Sequence, residues 1–189
     1  MSRGRDKFQK IKRPILFLSQ AVGKLPYSIR YTLLKHFRNY NGNSGLVVRY
    51  ILVKSLTKRC GDNVSIHPNV MIFAPENLEI GDNVSIHPFC YIDATGGISI
   101  GNDVSIAHAS TVMSTEHEYK AKDVPIKDQG VNMSPTVIHD NVWIASGVRV
   151  LAGTVISAGT IVAAGAVAKN RLKANSIYGG IPAKHLKDR

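Results

Sequence analysis

Cysteine is nearly absent, aromatic residues are scarce and acids are outnumbered, and each shortage removes a class of protein. Two cysteines, Cys60 and Cys90, build no disulfide framework and have no metal-ligand spacing. They read as small buried hydrophobes in a reducing compartment. Aromatics make up 7% of residues, and no aromatic platform or basic helix interrupts the central repeat, which argues against nucleic acid as a partner. No apolar run has the length of a membrane span, and the first dozen residues are too charged for a convincing secretion signal. Acids number 13 against 24 Lys and Arg, a formal charge of +11. That balance suits a solvated basic surface or an anionic partner: a phosphorylated cofactor, an acidic glycan or a membrane face. An apolar share of 44% in 189 residues fits one folded domain plus an extension.

What is present is a repeat. GDNVSIHP occurs at Gly61–Pro68 and again, unchanged, at Gly81–Pro88; GNDVSIAH follows at Gly101 and HDNVWIAS at His139. Within the block an aliphatic residue recurs every six positions, as in Ile80, Ile86 and Ile92, then Ile138, Ile144, Val150, Ile156 and Val162. A helix would space its apolar residues by three and four, and a simple strand would alternate over a short run. A period of six instead suits short strands joined by tight corners, three sides to a coil of about 18 residues, with stacked coils burying a column of Ile and Val. The 20-residue copies place two extra residues at a corner near Pro75–Leu78 and near Gly96 and Gly97. About five coils at a strand spacing of roughly 4.8 Å give a prism on the order of 24 Å long. The period does not reveal handedness.

Residues 1–59 read as a basic helical extension, 60–171 as the repeat, and 172–189 as a tail. Met1–Arg13 is expected to fray. Two or three short helices should follow from Pro14, the last over Leu46–Leu56, capping the open first coil. Their basic, amphipathic character also suits the face of an anionic membrane. His67 and His87 hold equivalent places and should stack as turn residues. The period stops over 113–135, a polar excursion of the kind on which function is placed.

Four parts of the chain, STEHEY in the excursion, VWIASGVRVLAGTVI, SIYGGIPAKHL and the repeat itself, together resemble the hexapeptide-repeat acyltransferases of the galactoside and maltose O-acetyltransferase type. The resemblance covers roughly residues 60–187. It implies a mainly β protein, a left-handed parallel β-helix assembled as a homotrimer, with acetyl-CoA as donor and each active site in a groove between subunits. Moving an acetyl group from a thioester to a hydroxyl needs a base, donors for an oxyanion and alignment of two substrates. His117 matches the family's catalytic histidine and is expected to be the base; among the other six, His36 and His185 lie in flanking segments while His67, His87, His108 and His139 fit turns. Asp93, one coil below, is favoured over Glu116 or Glu118 to orient it. By the same resemblance Trp143 covers the pantetheine arm or walls the acceptor pocket, the N–H groups around Ala145 and Ser146 form the oxyanion hole, and small Ala163 and Ala164 let the arm lie flat. Lys169 and Asn170 replace the family's Thr-Lys pair, and Lys184 and Lys187 meet the adenosine phosphates. The asparagine that galactoside-type members carry around Phe89–Tyr91 is missing, so the acceptor differs from a simple galactoside.

The function expected is O-acetylation of a sugar or cell-surface polysaccharide precursor by direct transfer in a ternary complex, in the cytoplasm at the inner face of the membrane. A sugar-nucleotide or xenobiotic N-acetyltransferase keeps the fold with an amine acceptor. A γ-carbonic anhydrase-like metalloenzyme would need three histidines converging on one groove and leaves the Trp143 and SIYGGIPAK phrases unexplained; a non-catalytic scaffold of the same shape would release no thiol from acetyl-CoA with any acceptor, and no metal site is expected.

Overall fold

A computed structural model describes residues 4–189. The expected fraying of Met1–Arg3 lies outside the described residues, and from Gly4 onward the chain is helical instead: α1 runs Gly4–Gly23, α2 Tyr27–His36 and α3 Gly42–Leu56. Both outer helices start earlier than local pattern suggests, for tertiary reasons. Phe8 packs edge-on against Tyr50 of α3, with ring centroids 5.5 Å apart, so α1 persists through Pro14. In α3 the glycines that look like breakers are needed: a Cβ on Gly45 would lie 2.0 Å from the Tyr40 carbonyl oxygen.

From Arg59 the chain winds into six coils whose strands stack into three parallel faces, one more coil than the sequence suggests. The first face stacks Cys60, Ile80, Ile100, Ile138, Ile156 and Leu172 in register. The second stacks Ile66, Ile86, Ile106, Ile144, Val162 and Tyr178, and the third Ile72, Ile92, Val112, Val150 and Ala168. Every one of these residues is buried. A strand of opposite direction, Lys184–Asp188, pairs with Ser176–Gly179 and closes the top.

The repeated phrase is explained by the corner between the first and second faces. Gly61, Gly81 and Gly101 sit where a Cβ would come within 2.7 Å of the coil above. Asp82, Asn102 and Asp140 each accept, through Oδ1, the backbone N–H of the coil beneath at 2.7–2.8 Å. Asn63, Asn83 and Asn141 take the left-handed conformation that asparagine tolerates better than most residues. Glycine, acidic or amide side chain and asparagine therefore each perform one corner task, and the phrase returns once per coil.

The helices cover the bottom edge, where strand carbonyls have no coil below to pair with. Lys54 donates to the Cys60 carbonyl, Tyr50 to Gly61, Arg49 Nε to Ile66 at 2.7 Å, and Tyr31 to Ile72 at 3.2 Å. Unpaired edge groups are both costly and sticky, and four side chains from two helices satisfy them. Burial raises the Cys60 thiol to about 12 and pushes Cys90 upward too, which fits their reading as inert packing residues.

Candidate active site

The excursion leaves the solenoid after Met113, at the corner between the third and first faces, and returns at Thr136. It forms a hairpin in which Thr115–His117 pairs antiparallel with Val131–Met133, His117 opposite Val131. Its root is fixed by the coil beneath. Ser114, fully buried, donates to the Asp93 carbonyl at 2.7 Å and accepts the Gly96 N–H at 2.8 Å. Only glycine fits there, because a Cβ on Gly96 would lie 2.2 Å from the Ser114 carbonyl oxygen. His117 itself is exposed and lines a cavity of about 180 Å³ with Glu116, Glu118, Tyr119, Lys120 and Asn132.

Asp93 does not pair with that imidazole within the chain. Its Oδ1 accepts from the Thr95 N–H and hydroxyl at 3.1 and 2.5 Å, and its Oδ2 from the Thr115 hydroxyl at 3.1 Å. The carboxylate thus grips the hairpin two residues before His117 and shapes its own corner, where both oxygens are already engaged. Glu116 and Glu118 flank His117 in the cavity wall, and no hydrogen bond joins either to it among the described residues.

The second cluster stands elsewhere. Trp143, 51% exposed, lies on the second face between Ser105 and Ile161. Past it, at the corner toward the third face, Ala107, Ala145, Ala163 and Gly179 follow the stacked residues Ile106, Ile144, Val162 and Tyr178. They form a shelf of small residues whose top, at buried Gly179, lies against Leu186 of the closing strand. In the two lowest coils the same column holds His67 and His87, whose rings stack 4.8 Å apart at 6°.

Of the two N–H groups expected to form an oxyanion hole, only one is unengaged among the described residues. The Ala145 N–H donates to the Val162 carbonyl at 2.9 Å and is spent in the ladder. The Ser146 N–H has no such acceptor among the described residues. Its peptide is oriented from behind: Ser110, fully buried, donates its hydroxyl to the Ala145 carbonyl at 3.0 Å. Carbonyl and N–H of a trans peptide point in opposite directions, so the Ser146 N–H is aimed away from Ser110. Ser110 was missed in the sequence because a small residue at an inward corner looks like filler.

Of the expected cations, Lys184 lies opposite Gly179 at the top of the shelf, and Lys187 lies opposite Ile177 on the same closing strand. Lys169 and Asn170 are not brought there. They occupy the corner between the third and first faces, where Asn170 has φ 62° and its carbonyl accepts the Val155 N–H at 2.8 Å. Ala164 is exposed beside Ala163.

No family model matches the sequence, and no curated protein does. Solved structures do. A galactoside acetyltransferase in complex with coenzyme A is 26% identical, with TM-score 0.76 over 84% of this chain and 78% of that one. A hexapeptide-repeat acetyltransferase from Vibrio cholerae, complexed with acetyl coenzyme A, is 24% identical at TM-score 0.75 over 89% and 87%. A maltose O-acetyltransferase from Clostridium difficile is 22% identical at TM-score 0.73 over 85% and 84%. The fold is that of the hexapeptide-repeat acetyltransferases. In this fold, a left-handed parallel β-helix, a corner lies across the prism from the face it does not border. The His117 hairpin roots at the corner between the third and first faces, whereas Trp143 projects from the second. The shelf itself lies at the corner between the second and third faces, so the hairpin root and the shelf stand at two different corners of the column with the third face between them.

Proposed function

We propose that the protein is an acyltransferase that takes acetyl-CoA as donor and moves the acetyl group to a hydroxyl of a sugar or cell-surface polysaccharide precursor. Coenzyme A or acetyl coenzyme A in two of the similar structures, and the maltose and galactoside acetyltransferases among them, support that donor and acceptor class. The observation that carries the reading is the pairing of an exposed histidine on a pinned hairpin with a flat, small-residue shelf beside one free backbone donor.

His117 accepts the proton of the acceptor hydroxyl as that oxygen attacks the thioester carbonyl. The Ser146 N–H stabilises the oxyanion, and collapse expels the CoA thiolate, which takes the proton from the His117 imidazolium and restores the neutral base. An imidazole suits the task because its ordinary pKa near 6.5 leaves it largely neutral at cell pH. Asp93 acts through the hairpin root rather than on the ring. Trp143 walls the shelf, Ala163 and Ala164 seat the pantetheine arm, and Lys184 and Lys187 receive the phosphates.

The hairpin root and the shelf stand at separate corners of the column, which supports an oligomer as the working unit, a homotrimer in our reading, with His117 of one subunit meeting the shelf of the next. Complementation tests this directly. His117→Ala should lower turnover about 10²–10⁴-fold, the span of a general base, with CoA binding intact. Ala163→Trp should abolish CoA binding. Mixing the two inactive variants under conditions that exchange subunits should restore activity, since some interfaces then carry both intact halves. Failure of exchanged mixtures to recover activity would place the whole site in one chain, and thiol release unaffected by His117→Ala would remove its role.

A further inference from the structure

Charge is divided between the two parts of the chain far more sharply than the total suggests. Residues 1–59 contain fourteen of the 24 Lys and Arg but only one of the 13 acids, a formal +13, whereas residues 60–189 carry −2. Binding a phosphorylated donor at the shelf does not call for this, since the shelf belongs to the other part. Helix α1, in the basic part, has two apolar stripes rather than one. Phe8, Ile15, Ser19 and Val22 face the protein, the first three buried and Val22 packed against the core. Ile11, Pro14, Leu18 and Ala21, spaced three, four and three, form a second stripe that is exposed along its length and continues at Leu25.

Phe17 stands beside this second stripe and is 71% exposed, with Leu18 at 47%. Exposed Lys10, Arg13 and Lys24 flank it. Ile11 also lines a cavity of about 220 Å³ between α1, α3 and the first coil, so the apolar surface continues inward from the stripe. Among the described residues no helix is long and apolar enough to cross a membrane. An apolar stripe bordered by cations, on a helix too polar to span, is the composition of a helix that lies in the interface of an anionic bilayer.

We infer that the second stripe of α1 is a docking surface for an anionic lipid bilayer, with Phe17 and Leu18 entering the acyl boundary and the flanking cations meeting lipid phosphates. The inference goes beyond the acetyl-transfer reading and does not depend on it. Since α3 and α2 seal the first coil, the column stands with its lowest coil toward the membrane and the shelf of the upper coils raised above it.

Flotation of the full-length protein with vesicles tests it, using phosphatidylcholine alone and phosphatidylcholine with phosphatidylglycerol. Binding should appear only with the anionic vesicles and fall in high salt. Phe17→Ser with Leu18→Ser should weaken it about tenfold or more, while thermal midpoint and CoA binding stay as in the parent. Absence of binding to anionic vesicles, or equal binding by the double variant, would overturn the proposal. So would a drop in the oligomeric mass of the double variant, which would show that the stripe is covered by a second copy of the chain.

Discussion

The lowest two coils and the four above them are built on one ladder yet carry different outer columns. At the corner after the second face the lowest two coils present His67 and His87, each followed by proline, and from the third coil upward Ala107, Ala145, Ala163 and Gly179 take their place. Glycine joins the left-handed corner positions in the upper coils, at Gly147, Gly153, Gly159 and Gly165, although Asn141, Asn170 and Asn175 keep asparagine at others. Inside, aliphatic corner residues such as Val64, Val84 and Val104 give way to Thr160 and Ser176. The backbone is indifferent to this exchange, since strand pairing continues in register through it. What changes is how closely a ligand could approach the backbone, and in the proposed reading that column of side chains selects the upper coils for the donor.

Four measurements would break or sharpen that contrast. The largest effect concerns what the halves share: Ile86→Ala below and Ile144→Ala above should each destabilise by about 2–5 kcal/mol in urea unfolding, and a tolerant site in either half would deny the common core. Next, Ala163→Leu should weaken CoA at least tenfold by calorimetry, an order-of-magnitude figure for closing a packed surface, whereas His87→Ala should leave affinity unchanged. Equal losses would mean that the shelf is not confined to the upper coils. Third, Ser110→Ala leaves a buried carbonyl unpaired and should cost about 1–3 kcal/mol. It should lower kcat more than it raises KM for acetyl-CoA, because the aimed peptide serves the transition state. The smallest effect is the pH response of the lower column. Burial, His87 and Arg49 hold His67 below its ordinary range, so the unfolded chain takes up the proton more readily. Stability should then be full above about pH 6.5 and decline as pH falls through it, and His67→Gln should flatten that part of the profile.

Much of the architecture was legible because a six-residue step has few physical solutions, and the excursion was legible as the place where that step stops. The atoms at the corners were not. Asp93 is one coil below the hairpin, as its position suggests, but Thr95 and Thr115 are nearer partners than His117, and no spacing reveals that. Ala145 looked like half of an oxyanion hole until its N–H was seen to pair with Val162. Lys169 and Asn170 lie away from the shelf, at a corner that spacing does not reveal because the last coil is shorter: Leu172 stacks on Ile156 after sixteen residues where Ile156 follows Ile138 after eighteen, and Asn170 turns it. Helix α1 was undercounted because Phe8 reads as part of a polar tail until Tyr50 is beside it.

The two ends of the column have a further consequence. A stack of parallel strands is open-ended in principle, and any copy of the chain arriving in register could add its coils to the last one. Here the bottom rung is sealed by Tyr31, Arg49, Tyr50 and Lys54, and the top strand of the second face by a strand running the opposite way. In-register addition is thereby disfavoured at the sealed strands, while the exposed hairpin stands on the side of the column, away from both ends.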